Sequence, residues 1–395
     1  PGLYVLNKAQ IRLSNSRKRT LEGIVCELLP VKGALILFHL PNDKSGKPSI
    51  KLLARNTSGN NAISLPVTVF LKAFGFTQEM IQTLFADQAE VLSSLEQEVF
   101  NADELKADPI FSSIINELSL AKNTQKLRET SKGWIKQTLY ALCVEYYESE
   151  RSTNKAKKKE LLEKIYIELA ARSITASLSI SPEVARREIT SFQELLWSYL
   201  FDKYYYGILP AGRYKLNHKL SVWERMKNRY LAEDIYGNDG KVWFKKDTFM
   251  DFENLTAFRE AAIANKLKIR ESIKPVKVFE DFKGRYKEFD EIQYEKVSIY
   301  VSGIDSAVVQ VIGTPYLPDS TPFNQSDVLA ILSYIIQLKH KVGEYDDIEN
   351  LGNKRLKLVD ELLENRIVLA LARIQKFSID KMNSLEAKMN YLSLK

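Results

Sequence analysis

Cysteine and histidine are scarce in this chain. Its 395 residues include two cysteines, Cys26 and Cys143, which lie far apart and form no CxxC. That excludes a cysteine-built zinc site within the chain and fits a reducing compartment. The three histidines, His39, His218 and His340, do not pair at metal spacing, so each reads as an ordinary surface or core residue. No window approaches the roughly eighteen uncharged apolar residues that a membrane span needs. The opening PGLYVLNKAQ has neither a basic start nor an apolar run, so it does not read as a signal peptide. Without an initiator Met, the chain is expected to be a fragment or a processed product. Also missing are GxxxxGK[ST], GxGxxG after a strand, HExxH and GxSxG. Adjacent acids such as Asp346-Asp347, or Asp281 beside Glu280, read as solvated or capping groups, with catalysis the alternative. The expectation is therefore a binding or structural piece, with no catalytic residue and no cofactor of its own.

The residues that are present describe an ordinary globular protein. Hydrophobic residues make up 45% and charged residues 27%, enough for a sizeable core, and the length suggests roughly two or three domains. Lys and Arg outnumber Asp and Glu by 57 to 50, giving a net charge of +7. Such an excess permits a nucleic-acid or acidic partner without demanding one.

Hydrophobic periodicity changes along the chain, which predicts an α+β fold without repeats or Gly/Ser linkers. Residues 1–60 read as strands and turns, VCELLPVKGALILFHL being rich in strand formers. After Ser64 helical spacing takes over: Thr77 is expected to cap a helix carrying Met80, Ile81, Leu84 and Phe85. Residues 100–175 stay helical in pattern. Their basic run Lys155 to Lys159, ahead of a helix, reads as a solvated loop and helix start, a phosphate-contacting patch being the alternative. Ser181-Pro182-Glu183 is expected to open a helix that continues through SFQELLWSYLF. YGNDGKVWFKKDT reads as a hairpin, VSIYVSGIDSAVVQVIG as two strands, and Leu255–Asn265 as a helix between them. SDVLAILSYIIQLKHKVG reads as a helix capped by Ser326 and ended by Gly343.

The stretch YDDIENLGNKRLKLVDELLENRIVLALARIQK concentrates the chemistry. A helix over Lys354 to Phe377, with its N-cap at Asn353, would put Val359, Leu363, Ile367, Ala370, Ile374 and Phe377 on one buried stripe. Arg355, Arg366 and Arg373 would fall within about 20° of one another along its edge, able to grip a carboxylate network or a phosphate backbone, or to form internal ion pairs. Asp346, Asp347 and Glu349 would lie near the positive end of the helix dipole. An acid held there can accept hydrogen bonds from a base edge.

This stretch resembles the D-D-I-D-H-L-G-N-R-R run of the β subunit of bacterial RNA polymerase. Three further segments resemble that subunit in the same order: LPVTVFLKAFGF, GRYKLNHKL (Gly212 to Leu220) and LAEDIYGNDGKVWFKKDT. Pro1-Gly2 fits the S-P-G that precedes the subunit's lobe. The resemblance implies a lobe with mixed strands and helices and an inserted, mainly β external domain. Its expected parts are 1–99, a divergent helical 100–180, 181–225, the insert 226–315, and 316–395 returning toward the protrusion. It implies a wall of the downstream DNA cleft that contacts the non-template strand, sigma and elongation factors. The chain would be part of a nucleotidyltransferase, inactive alone, partnered by the β′, α and ω subunits and the rest of β. Mg and Zn would sit in β′, and the location would be the cytoplasmic nucleoid. The positions matching the family's pocket for a non-template guanine are Ile348, Glu349, Lys354 and Lys376. The sequence departs from the family pattern in places. Glu349 replaces Asp, Lys354 and Lys376 replace arginines that would fork onto a base, Ala62-Ile63-Ser64 replaces a basic triplet, and Leu35 replaces Trp. The family's R-P-G-E-P-P gate loop is not recognisable near Arg172 to Ser181. Lys, Asn and Ile usage fits an AT-rich lineage such as a mollicute. The alternative is a helical scaffold whose basic face binds protein partners.

Overall fold

The computed structural model describes residues 1–12, 18–42, 51–55, 63–86, 88, 91–92, 95, 105, 108–120, 137–149, 155–178, 180, 189–273, 279–280, 286–287, 291–301, 303–304, 307–347, 349–354, 356 and 358–393. They form two compact units, Pro1–Asp346 and Asp347–Lys395. The α+β expectation holds: helices and antiparallel sheets occupy successive parts of the chain.

The first unit opens with a five-stranded meander: β1 (Gly2–Arg12), β2 (Lys18–Leu29), β3 (Leu35–Pro41), β4 (Lys51–Arg55) and β5 (Ile63–Pro66), each pairing antiparallel with the next. Side chains alternate across the sheet as strand geometry requires. Leu3, Val5, Ile24, Cys26, Ile36 and Phe38 enter the main core. Leu6, Val25 and Leu37 gather on the opposite face. β5 runs straight into α1 (Val67–Ala73), which is buried throughout. α2 (Gln78–Leu84) follows, and the Thr77 hydroxyl accepts from the Met80 amide at 3.3 Å, the expected cap.

A helical layer comes next: α3 (Pro109–Leu120), α4 (Gln137–Ser149) and α5 (Lys155–Ser177), around a core that includes Phe111, Leu139, Cys143, Val144 and Ile165. α5 begins at Lys155, so the basic run is the helix start itself. The expected cap at Ser181 lies outside the described residues. α6 (Phe192–Phe201) is a separate helix capped by Ser191, whose hydroxyl accepts from the Gln193 amide. A helix continuous from residue 183 is excluded, because Ile189 and Thr190 are not helical. α7 (Leu209–Leu220) and α8 (Val222–Met226) lead into the β-rich part.

That part contains the expected hairpin, β6 (Ile235–Tyr236) and β7 (Val242–Phe244), with Gly240 at φ +78 in its turn. α9 spans Phe252–Ile263, three residues earlier at its start than expected, because Asp251 caps it by accepting from Asn254 N at 2.8 Å. β8 (Arg270–Ile273) pairs with β11 (Ile292–Tyr300), which pairs with β12 (Val308–Gly313), as VSIYVSGIDSAVVQVIG predicts. Two short strands, β9 (Phe279–Glu280) and β10 (Tyr286–Lys287), pair with each other. A second core of Val222, Met226, Leu231, Met250, Phe258, Ile299 and Val311 holds this part together. α10 (Gln325–Lys339) then returns to the main core, with every position from Ser326 to Leu338 buried. Its cap is Asn324, not Ser326. Asn324 and Asp327 form a reciprocal capping box, and Ser326 instead donates its hydroxyl to the Gln293 carbonyl.

The second unit holds a 3₁₀ turn, Leu351–Asn353, and one long helix, α11 (Val359–Ser393). The expected helix over Lys354–Phe377 therefore starts later and runs further. Asn353 does not cap it: its side-chain amide donates to the Asp347 carbonyl at 2.9 Å. The expected buried stripe is also corrected, since Val359, Leu363, Ile367, Ile374 and Phe377 are all exposed. A single helix and a turn offer no second layer within this unit to cover them.

Candidate nucleic-acid interface

The turn of the second unit is built by short-range hydrogen bonds. Asp347 Oδ1 accepts from the Glu349 amide at 2.9 Å, and Asn350 Oδ1 accepts from the Gly352 amide at 2.9 Å. Backbone bonds from Asn353 to Asn350 and from Lys354 to Leu351, both 3.0 Å, close the 3₁₀ turn. Asn and Asp side chains suit this work because they imitate a backbone acceptor two residues away. As a result Glu349 and Lys354 come together, Nζ to Oε2 at 3.2 Å, on an open surface: the Glu349 side chain is 88% exposed and that of Lys354 47%. An exposed pair this loose contributes little to stability. It leaves a carboxylate and an ammonium side by side, free to meet a ligand.

Arg366, Arg373 and Lys376 lie exposed on α11. Arg366 and Arg373 share one face, roughly 10 Å apart along the axis. Lys376 stands about 60° round from Arg373 and about 25 Å from the helix start. The structure thus pairs Glu349 with Lys354, and Arg366 with Arg373. Among the described residues no contact joins Lys376 to the turn. Ile348 and Arg355 lie outside the described residues.

The first unit ends on a tie that charge pattern alone misreads. Asp346 is not a solvated partner of a helix dipole. Its amide donates to the Val5 carbonyl at 2.7 Å, and its Oδ2 accepts from the Val5 amide at 2.7 Å and from Lys219 Nζ at 2.6 Å. β1 is an edge strand, so Asp346 meets both backbone groups of Val5 that the sheet leaves open. Lys219 belongs to α7, the helix formed by GRYKLNHKL, and other polar residues of that segment also face inward. Arg213 and Asp327 form a bidentate pair at 2.8 and 2.7 Å, with both side chains fully buried. Asn217 donates to the Leu317 carbonyl at 2.8 Å, and Lys215 sits 3.7 Å over the Tyr4 ring. A signal for this was present in the sequence: Arg213 shares a helix face with Leu216 and Leu220, where a cation implies a buried partner.

The remaining buried polar groups bind the parts of the unit to one another. Arg225 reaches the Ile312 carbonyl, Ser333 Oγ and Gln337 Oε1, and burial pulls its pKa down to about 9. Glu168 accepts from Phe192 N at 2.6 Å and Ser191 Oγ at 3.0 Å, and burial pushes its carboxyl up to about 7. The Cys26 thiol is raised by burial, which makes it unreactive. His39 is buried against the Glu22 carbonyl and His218 packs on Tyr214, while His340 closes α10. Among the described residues no cluster of His, Cys, Asp or Glu could hold a metal ion, and no helix is long and apolar enough to cross a membrane.

The chain is similar to one kind of protein. No family model matches the chain. It is 34% identical over 398 residues to the DNA-directed RNA polymerase subunit beta of Malacoplasma penetrans, covering 97% of this chain and 28% of that protein. Its identity to the same subunit of Mycoplasmoides gallisepticum is 33% over 405 residues, again with 97% and 28% covered. The subunit of Ureaplasma parvum matches all of the chain at 30% identity, over 30% of its own length. The chain thus spans under a third of the length of these relatives.

Proposed function

Because this chain is homologous along its length to a segment of the mollicute DNA-directed RNA polymerase β subunit, we propose that it serves as that subunit's lobe, lining the downstream DNA cleft and contacting the non-template strand. The observation that carries this reading is the exposed Glu349–Lys354 pair on a turn fixed by its own Asp and Asn side chains. A guanine edge presents amino and imino donors beside the O6 acceptor. A carboxylate and an ammonium about 3 Å apart match that order, one accepting and the other donating. Arg366 and Arg373, on one face of α11, suit phosphates of the same strand, which position DNA without reading it. The exposed apolar residues of α11 favour a protein contact as well, which we assign to the rest of β, β′, α and ω. Sigma and elongation factors would dock on the same lobe. Catalysis would belong to the assembled nucleotidyltransferase, with Mg and Zn held in β′.

The test is binding of the chain to a fluorescent fork DNA with a single-stranded non-template arm, across a salt series. We expect salt-sensitive binding, with extra affinity for a guanine in the arm that Glu349→Ala and Lys354→Ala each remove. Binding that ignores the base in the arm and both substitutions would overturn the reading.

A further inference from the structure

The β6–β7 hairpin of the first unit carries an aromatic platform. Ile235 pairs with Phe244 and Tyr236 with Val242, so Trp243 is one residue too many for the ladder and opposes no residue of β6. A bulge of this kind re-aims a side chain. Here the indole lies on Gly237, where any Cβ would collide with its Nε1 and Cδ1, so only glycine lets the ring rest against the backbone. Gly237 is itself held from both sides. Its amide donates to the Lys241 carbonyl at 2.8 Å, and it pairs with Leu267 in the segment after α9. The Asn238 amide donates to the Lys266 carbonyl at 2.9 Å, and the Lys268 amide to the Tyr236 carbonyl at 2.7 Å. The ring is thus supported on one side, yet Trp243 stays 43% exposed, while Trp197 is half-buried and Trp223 buried.

Cations border this ring. Lys266 Nζ stands 5.9 Å from its centroid, within reach of the negative face. Residues 235–246 and 264–268 hold five lysines and one acid. The acid, Asp239, is tied into the turn, its Oδ1 accepting from the Lys241 amide at 3.1 Å. Lys246 turns to the Tyr300 hydroxyl. Lys241, Lys245, Lys266 and Lys268 are exposed.

We propose that this platform binds single-stranded nucleic acid, a base stacking on the open side of Trp243 and its flanking phosphates meeting Lys266 and the neighbouring lysines. The excess of lysine over acid favours a polyanion. An indole with an ammonium beside it matches the alternation of base and phosphate along a single strand. Stacking of this kind is indifferent to base identity, because every base offers a π-face. The platform therefore goes beyond the guanine reading given to Glu349 and Lys354, and does not depend on it.

The experiment titrates the 395-residue chain with oligothymidylate, which contains no guanine, and reads both affinity and quenching of tryptophan emission. The unsubstituted chain should bind with quenching. Trp243→Leu should remove most of the quenching and weaken binding about tenfold, a loss in the range of one stacked base. Trp243→Phe, which keeps a ring, should retain part of the affinity. Lys266→Ala and Lys268→Ala should each lessen the slope of log affinity against log salt by about 0.7. Urea midpoints separate lost stacking from lost folding, and the Phe and lysine variants keep the test valid if Trp243→Leu disturbs the hairpin. Unchanged affinity and quenching in Trp243→Leu would overturn the proposal, as would binding that only Arg366→Ala with Arg373→Ala removes. Quenching by polyglutamate and not by oligothymidylate would assign the platform to an acidic protein segment, and overturns it too. Glu349→Ala should leave oligothymidylate binding unchanged, so failure of the guanine reading and failure of the platform are read separately.

Discussion

Arg213 shows how a basic residue in a chain of net positive charge can be entirely internal. Its guanidinium meets Asp327 with both side chains fully buried, and it also donates to the Thr321 and Pro322 carbonyls. Removing one member of such a pair strands a charge away from water. We therefore expect Arg213→Met to destabilise the chain by about 3–5 kcal/mol, read from the denaturant midpoint. Arg213→Met with Asp327→Leu should recover part of that loss, but not the capping bond that Asp327 makes to Asn324. Glu168 makes a pH prediction. Its pKa is raised from 4.5 to about 7, so its stabilising contribution is full below about 4.5 and is lost as pH rises through about 7. Over that window stability should fall by roughly 3 kcal/mol. Urea midpoints at pH 5 and pH 8 should show the fall, and Glu168→Gln should flatten it. A residual slope should remain from Glu295, which burial also raises to about 7.

At the scale of single elements, capping decides several boundaries. Asn324→Ala should lower stability by about 1 kcal/mol in the same denaturant assay, whereas Ser326→Ala should leave the α10 cap intact. The sequence made Thr77, the residue 235–244 hairpin and the β11–β12 pair legible, because a cap, a turn and an alternation each act over a few neighbours. It misassigned α10 because apolar periodicity starts at Val328 and conceals the polar first turn that Asn324 caps. α11 was misjudged for a different reason. An apolar stripe on a helix shows that something should cover it, but not which layer does, and this unit has no second layer. In the candidate site, the Glu349–Lys354 pairing could be read from the turn residues. The tie that Asp346 makes within the first unit could not, because its partners Val5 and Lys219 are distant in sequence and meet it only in the folded unit.

For the whole molecule, the net charge of +7 is modest, so binding to DNA should depend on where the cations lie more than on their number. If Arg366 and Arg373 each neutralise one phosphate of a single strand, replacing both with Ala should lessen the slope of log affinity against log salt by about 1.4. Fluorescence anisotropy at four or five salt concentrations would measure that slope. Base preference should survive the double substitution, because phosphate contacts carry no sequence information.

The bond between Val5 and Asp346 has a consequence for how the first unit could be connected. Residues from the two ends of a compact body lie one hydrogen bond apart. Such a body can have these two positions joined by a short linker without strain. It should also tolerate circular permutation: a short Gly-Ser bridge from residue 346 to residue 1, with new termini opened in the exposed hairpin turn at Asp239–Gly240, should preserve the cooperative unfolding of the unit.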